Sequence, residues 1–152
     1  MKSLIFNVLV LFIFVSAQAQ KQSDSTAVYS VLEEVFTVCN SASAEGENSE
    51  FINFERLANY IIYSGNDAAR KNKATCDYNK TEDRKIVDEA GKKIKGWLDN
   101  IENYKLLKYS ITKEGSLDLH VLLLTCKTSK AKKEMSFSFI KIKDSYLLSK
   151  IN

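Results

Sequence analysis

The spacing of the apolar residues changes once along this chain, near Tyr104, and that change limits the possible folds more than any other feature. Before it, apolar residues recur at every third or fourth position, as on one face of a helix. After it, they alternate with polar residues, as in a half-buried strand. The sequence therefore predicts helices first and a sheet second, which is the α+β class.

Three helices are predicted before the change. The first follows possible capping residues at positions 23–25 and ends near Cys39, the second covers about residues 51–64, and the third covers about residues 81–101. The polar segment 40–50 is predicted to be a loop, and the stretch from residue 65 to residue 80 is predicted to be irregular.

Two glycines, Gly91 and Gly96, interrupt the apolar pattern of the third helix. Each lowers helix stability by about 1 kcal/mol relative to alanine. We therefore expect another element to pack closely at both positions.

Four successive strands are predicted after Tyr104. They are separated by turn signals at Glu114–Gly115, at the lysine-rich residues 130–133 and at Asp144–Ser145. Short turns join antiparallel neighbours, so we expect a curved four-stranded antiparallel meander with the three N-terminal helices packed on one face.

The turn at Gly115 decides which way His120, the only histidine, points. A three-residue loop at 113–115 would place Thr112 opposite Ser116 and direct both His120 and Asp118 to the solvent. A register shift of one residue would reverse this direction. The alternative is that Asp118 and His120 form an acid–base pair in a pocket of a small hydrolase or isomerase.

The same register predicts an apolar patch on the outer face of the sheet. It would contain four aliphatic side chains, those of Leu122, Leu124, Ile140 and Ile142. Patches of this kind often mark association, so the sequence predicts a homodimer through this face. The alternative is that a helix or the last strand covers the patch.

The N-terminus has the features of a secretory signal peptide at residues 1–19. Lys2 precedes an apolar run at residues 4–15, which is shorter than the roughly 20 residues needed to span a bilayer, and small residues follow at Ala17 and Ala19. Cleavage after Ala19 would leave a single α+β domain at residues 20–152. We therefore expect a periplasmic or secreted protein with no stable membrane anchor.

The chain has three cysteines and a formal net charge of +3. Because export permits disulfides, a bridge between Cys39 and Cys76 is predicted, and Cys126 is expected to be a buried thiol. The cysteines lack the spacing of a zinc site. The modest charge does not indicate a nucleic-acid partner, and no metal or other cofactor is predicted.

The helix-then-meander layout resembles the cystatin-like, nuclear-transport-factor-2-like fold. The stretches YIIYSGNDAARKNKATCDYN (residues 60–79) and FIKIKDSYLLSKIN (residues 139–152) are also similar to small secreted proteins of Bacteroidota. In proteins of this fold, the helices and the concave face of the sheet often enclose a pocket. The enzymes among them usually place a histidine and an aspartate inside it, a pattern from which an outward His120 would depart.

The resemblance implies a small apolar pocket in this chain. The predicted ligand-binding residues comprise lining residues Trp97, Tyr109 and Phe137, with Leu119 beside them, and mouth residues Tyr63, Asp67 and Arg70. The mouth residues have an alternative interpretation as helix caps and a surface ion pair. The predicted function is an exported, non-catalytic binding or interaction module, with an enzyme using Asp118 and His120 as the alternative.

Overall fold

The computed structural model describes residues 2–40, 52–63, 65–128 and 131–152, with side chains from residue 19 onward. The predicted loop at 40–50 lies outside these ranges except for Asn40. Four helices and four strands follow one another along the described chain: α1 Lys2–Asn40, α2 Phe54–Ala58, α3 Asp67–Asn72, α4 Thr81–Leu98, β1 Asn103–Glu114, β2 Leu117–Lys127, β3 Lys132–Ile142 and β4 Ser145–Ile151.

The four strands form one sheet in the order β1-β2-β3-β4, and each neighbouring pair is antiparallel. The predicted α+β class and the meander are therefore confirmed. A short segment after α2 covers the outer edge of β4, where the backbone N–H of Ile62 donates to the carbonyl of Leu148 at 3.0 Å.

The predicted second helix is too long. Only α2, from Phe54 to Ala58, is helical, because the backbone groups of Tyr60 and Ile62 hydrogen-bond to Leu148 of β4 instead of continuing the helix. The short helix α3 was not predicted. Its N-terminus is capped by the side chain of Asn66, which accepts a hydrogen bond from the Ala69 N–H at 2.9 Å.

The long helices agree better with the sequence. Helix α4 begins at Thr81 as predicted and buries one stripe that includes Val87, Ile94 and Trp97. Helix α1 is continuous from Lys2, so residues 23–25 lie inside it and are not its caps. Among the described residues, no helix is both long and apolar enough to cross a membrane.

The two glycines of α4 have different surroundings. A Cβ atom at Gly91 would lie 2.8 Å from a ring carbon of Phe54 and 2.9 Å from a methyl carbon of Leu57, so the predicted close packing is confirmed there. A Cβ atom at Gly96 would meet nothing within 4 Å, and the prediction is wrong for that position.

The predicted register of β1 and β2 is also wrong. Glu114 lies opposite Leu117, so the connecting turn contains only Gly115 and Ser116. Asp67 holds this tight turn, because its Oδ2 atom accepts hydrogen bonds from the Ser116 backbone N–H at 3.0 Å and from the Ser116 hydroxyl at 2.6 Å. Thr112 consequently lies opposite Leu119, three residues from the predicted pairing, and an odd shift moves every β2 side chain to the other face.

The reversed register places apolar residues on both faces of the sheet. Leu122 and Leu124 belong to the core beneath the helices, whereas Ile140 and Ile142 belong to a second cluster on the opposite face. The segment that contains Ile62 and Ala74 packs against this second cluster. The predicted four-residue dimer surface is therefore not present, because all four side chains are buried on two different faces.

The structure does not contain the predicted disulfide. All three cysteines are free and buried: Cys39, Cys76 and Cys126. A buried free thiol was predicted only for Cys126. Burial raises the pKa of the Cys39 thiol to about 12 and that of Cys76 to about 11. Both groups therefore remain protonated at neutral pH and are poor nucleophiles.

Candidate functional site

A groove lies between the C-terminal half of α4 and the ends of β2 and β3. Its volume of about 640 Å³ falls in the range of small-molecule sites. Its lining combines apolar side chains with a few polar ones: Lys93, Gly96, Trp97, Asn100, Ile101, Cys126, Thr128, Ala131, Lys133 and Met135. We call this surface the Trp97 groove.

Gly96 and the end of α4 leave the space for the groove. Gly96 has no side chain, and its neighbourhood is open beyond the Cβ position. The helix ends at Leu98, and the Asn100 side chain folds back to donate a hydrogen bond to the Gly96 carbonyl at 2.6 Å. The chain then reaches β1 without filling the groove.

Trp97 forms the inner wall. Its ring packs against Phe36 and Phe137, with centroid distances of 5.4 and 5.6 Å. The indole N–H is buried and has no hydrogen-bond acceptor among the residues the structure describes. Because buried donors normally have an acceptor, this wall retains an unused hydrogen-bond donor.

Two lysines provide the charge of the Trp97 groove. The ammonium group of Lys93 donates to the Ile151 carbonyl at 2.5 Å, which holds the side chain beside the groove, and Lys133 lies on β3 at the other side. No carboxylate is present among the described lining residues. An apolar wall with two ammonium groups suits a ligand that has an apolar body and an anionic head.

A second concavity of about 440 Å³ lies between α1 and the β3–β4 turn. Its wall carries charges of both signs, Glu34, Lys143 and Asp144, and Glu34 already accepts a hydrogen bond from Tyr60 at 2.9 Å. It therefore offers less selectivity for a ligand of one charge than the Trp97 groove does.

His120 is buried, with 4% of its surface exposed, so the predicted outward direction is wrong. Its Nδ1 atom lies 2.6 Å from the Tyr109 hydroxyl, and its ring meets the Tyr146 ring edge to face at 5.0 Å. The Tyr146 hydroxyl donates to Asp24 of α1 at 2.6 Å. These four residues, Asp24, Tyr109, His120 and Tyr146, are called the buried cluster below.

Burial sets the protonation of the buried cluster. It lowers the pKa of His120, so the imidazole is neutral at pH 7. Burial opposes ionisation of Asp24, but hydrogen bonds from Tyr146 and Gln20 outweigh it and lower the pKa of this carboxyl group. Burial likewise raises the pKa of Tyr109 and that of Tyr146, so both phenols stay protonated.

The predicted pair of Asp118 and His120 is not joined by a hydrogen bond. The Asp118 carboxylate is exposed and lies 2.5 Å from the ammonium group of Lys113. The hydroxyl of Tyr109 is the hydrogen-bond partner of His120. None of the residues of the buried cluster lines the Trp97 groove.

The predicted ligand-binding residues do not come together in one place. Trp97 lines the groove, and Phe137 is a fully buried core residue that packs against the Trp97 ring. Tyr109 belongs to the buried cluster. Of the three predicted mouth residues, Asp67 and Arg70 lie beside the β1–β2 turn, whereas Tyr63 lies against the ammonium group of Lys73.

Two of these mouth residues take part in a second polar group beside the β1–β2 turn. Asp67 holds Ser116, and the Arg70 guanidinium lies 3.3 Å from the Glu114 carboxylate. Lys150 of β4 reaches the same carboxylate at 2.9 Å. We call these residues, Asp67, Arg70, Glu114, Ser116 and Lys150, the turn cluster. Tyr63 lies apart from it, with the Lys73 ammonium group 4.0 Å from the centre of its ring.

The sequence contained signals for some of the residues that were missed. Asp24 lies four residues before Val28 and eight before Leu32, which places it on the buried stripe of α1. Gly96 was identified from the sequence, but close packing was predicted there, whereas the structure has open space beside it. No local pattern indicated Lys93 and Lys133 as neighbours, because their proximity depends on how α4 lies against β3.

The described residues contain no group of three or more histidine, cysteine, aspartate or glutamate side chains placed to hold a metal ion. Comparisons of the chain with protein-family models, curated proteins and solved structures found no match.

Proposed function

We propose that this protein is an exported, non-catalytic binding module whose ligand occupies the Trp97 groove. The ligand is a small molecule with an apolar body and an anionic head. The apolar run at residues 4–15, followed by small residues at Ala17 and Ala19, supports export to the periplasm or the medium. The order of the helices and the meander supports a cystatin-like, nuclear-transport-factor-2-like fold.

The single observation that carries this proposal is the composition of the groove. Trp97, Ile101 and Met135 supply apolar area, while Lys93 and Lys133 supply the only charges of its described lining. Burial of an apolar body contributes about 25 cal/mol per Å² of removed surface, and the ammonium groups select the charge of the head.

The buried cluster favours binding over catalysis. A general base needs to reach a substrate, whereas His120 is directed at Tyr109 beneath the helices. Asp24 is likewise occupied by Tyr146 and Gln20. The cluster is therefore assigned a structural role, which is to hold α1 on the sheet.

The proposal is tested through the fluorescence of Trp97, because it is the only tryptophan of the chain. The purified protein is titrated with dodecanoate, dodecanol and dodecyltrimethylammonium, which share one apolar chain and differ in their heads. We expect dodecanoate to shift the emission saturably, dodecanol to act more weakly, and the cation to have little effect. An absent response to dodecanoate, or equal responses to all three, contradicts the proposal.

Substitutions at Gly96 separate binding from stability. Gly96→Leu fills the groove and is expected to abolish the dodecanoate response, although removing a helical glycine stabilises α4 by up to about 1 kcal/mol. Gly96→Ala adds only a methyl group and is expected to retain binding. Full dodecanoate binding by Gly96→Leu would place the ligand elsewhere.

Charge substitutions test the head group. Lys93→Glu and Lys133→Glu are each expected to weaken dodecanoate binding several-fold while changing dodecanol binding little. Lys85→Glu on the exposed surface of α4 is the matched control, because Lys85 does not line the groove. Equal effects at Lys85 and Lys93 would indicate only a general change in net charge.

A further inference from the structure

The outer edge of β1 has no strand partner among the residues the structure describes. β1 pairs only with β2, along its whole length from Asn103 to Glu114. The opposite edge of the sheet differs, because the segment containing Ile61 and Ile62 hydrogen-bonds to β4. An edge strand of this length presents backbone N–H and C=O groups that can pair with another chain.

The exposed apolar side chains of the molecule are concentrated on this same strand. Three of its residues are the only large apolar residues so exposed among those whose side chains the structure describes. They are Leu106 (37% exposed), Leu107 (52%) and Ile111 (43%). A free strand edge and a local group of exposed aliphatic side chains are two separate indications of an interface.

We propose that two copies of this chain pair through β1 in an antiparallel arrangement, with the two-fold axis passing at Tyr109. In this register, Leu106 lies opposite the partner's Ile111, and the symmetry repeats this contact. The two sheets then become one continuous eight-stranded sheet. The proposal concerns a surface separate from the Trp97 groove and does not depend on the proposed ligand.

The irregularity of β1 is compatible with this register. Against β2, the pairing shifts between Leu106 and Lys108, so Leu106 and Ile111 both lie on the helix-covered side of the sheet although their sequence separation is odd. Directly opposite residues in an antiparallel pair share a face. Skipping Leu107 in the partner strand as well places Leu106 and Ile111 on the same face at both contacts.

The charges of β1 agree with pairing between identical strands. In the proposed register, Lys105 lies opposite the partner's Thr112 and Lys108 opposite the partner's Ser110, so no lysine faces a lysine. Lys113 is already paired with Asp118. Lysines on a free edge generally discourage pairing, and this register limits that cost because each of them lies opposite an uncharged residue.

The assembly is tested by sedimentation equilibrium at micromolar concentrations. We expect the unmodified protein to form a dimer. Leu106→Glu and Ile111→Lys each place an unpaired charge against an aliphatic side chain and are expected to weaken the dimer by about tenfold or more. Both positions are exposed, so circular dichroism should show an unchanged fold for each variant.

A charge exchange tests the register itself. The double variant Leu106→Glu/Ile111→Lys is expected to dimerise again, because the introduced carboxylate of one copy then faces the introduced ammonium group of the other. The matched control, Leu106→Lys/Ile111→Lys, places like charges opposite each other and should remain monomeric.

Three results would overturn the proposal. These are an unmodified protein that stays monomeric, a dimer that neither single substitution weakens, and a double variant with opposite charges that fails to recover. A monomer that instead binds an extended glutamate-rich peptide along β1 would also overturn it, because that result assigns the basic edge to a different partner.

Discussion

The buried cluster and the turn cluster each contain a hydrogen bond from a hydroxyl to an aspartate, on opposite sides of one sheet, but they differ in contact with water. In the buried cluster, Asp24, His120 and Tyr146 are almost fully enclosed between α1 and the sheet. In the turn cluster, Asp67 and Ser116 join α3 to a tight turn at the surface. Water can replace a partner lost from the second cluster, but it has little access to the first, where Asp24 also lies 3.5 Å from the Lys141 ammonium group.

This difference shows why similar hydrogen-bond distances do not imply similar contributions to stability. The hydroxyl–carboxylate distance is 2.6 Å both in the Tyr146–Asp24 pair and in the Ser116–Asp67 pair. Removing one partner of a buried pair leaves the other without a hydrogen bond, which costs about 1–3 kcal/mol, and more for a charged group. The following predictions test this contrast, beginning with the largest expected effect.

Asp24→Ala is expected to lower the free energy of unfolding by about 2–3 kcal/mol, because it leaves the buried Tyr146 hydroxyl without its acceptor. Urea unfolding followed by circular dichroism measures the change. Asp24→Asn, which keeps an acceptor oxygen, should have a smaller effect. If Asp24→Ala destabilises the protein no more than Asp67→Ala does, the proposed contrast between the clusters fails.

Gly115→Ala is expected to lower the free energy of unfolding by about 1–2 kcal/mol, because Gly115 has a φ of 60° in the left-handed region. A Cβ atom there would also lie 2.9 Å from Asp67 Oδ2. Gly115→Asn serves as the control, since asparagine tolerates this backbone conformation better, and it should destabilise less in the same urea titration. Equal losses would assign the effect to the contact with Asp67.

The contribution of His120 to the stability of the fold is expected to be sensitive to acid. Because burial lowers its pKa in the folded state, the unfolded chain binds the proton more readily. The contribution of neutral His120 is therefore complete above the unfolded pKa of about 6.5 and declines as the pH falls below it. Melting temperatures of the unmodified protein and of the His120→Gln variant are measured from pH 5 to pH 8. The difference between them should be smaller at the acid end. A constant difference across this range would show that His120 does not titrate differently on folding.

Asp67→Ala is expected to produce the smallest change, a slight fall in melting temperature. The Ser116 N–H and hydroxyl released by this substitution can hydrogen-bond to water. Ser116→Ala is the matched variant, and the two effects should not add, because they remove the same contact. A fall as large as that of Asp24→Ala would show that the β1–β2 turn is as important as the core.

The sequence was sufficient for the elements whose pattern is local. Helix α4 and the four strands were predicted because each repeats its own periodicity over many residues. The sheet register was not predicted, because the β1–β2 turn was interpreted as residues 113–115, whereas it contains only Gly115 and Ser116. Reading Gly115 and Ser116 as a two-residue turn would have given the observed pairing.

The candidate site follows the same division. The spacing of apolar residues predicted that Trp97 lies on the buried stripe of α4, which the structure confirms, whereas its place on a pocket wall was only implied by the resemblance. The rest of the groove arises where α4, β2 and β3 meet, so no single segment encodes it. His120 was predicted on the wrong face of the sheet because that prediction was based on the wrong register of β1 and β2.

The three free cysteines have a consequence for following the motions of this protein. They lie in different parts of the fold, with Cys39 near the end of α1, Cys76 just before α4 and Cys126 within β2. Each thiol is hidden in the native state, so it reacts with an alkylating reagent only when its own surroundings open. The alkylation rates of the three residues, resolved by mass spectrometry, therefore compare local opening at the first helix, at the entry to α4 and in the sheet without an introduced label.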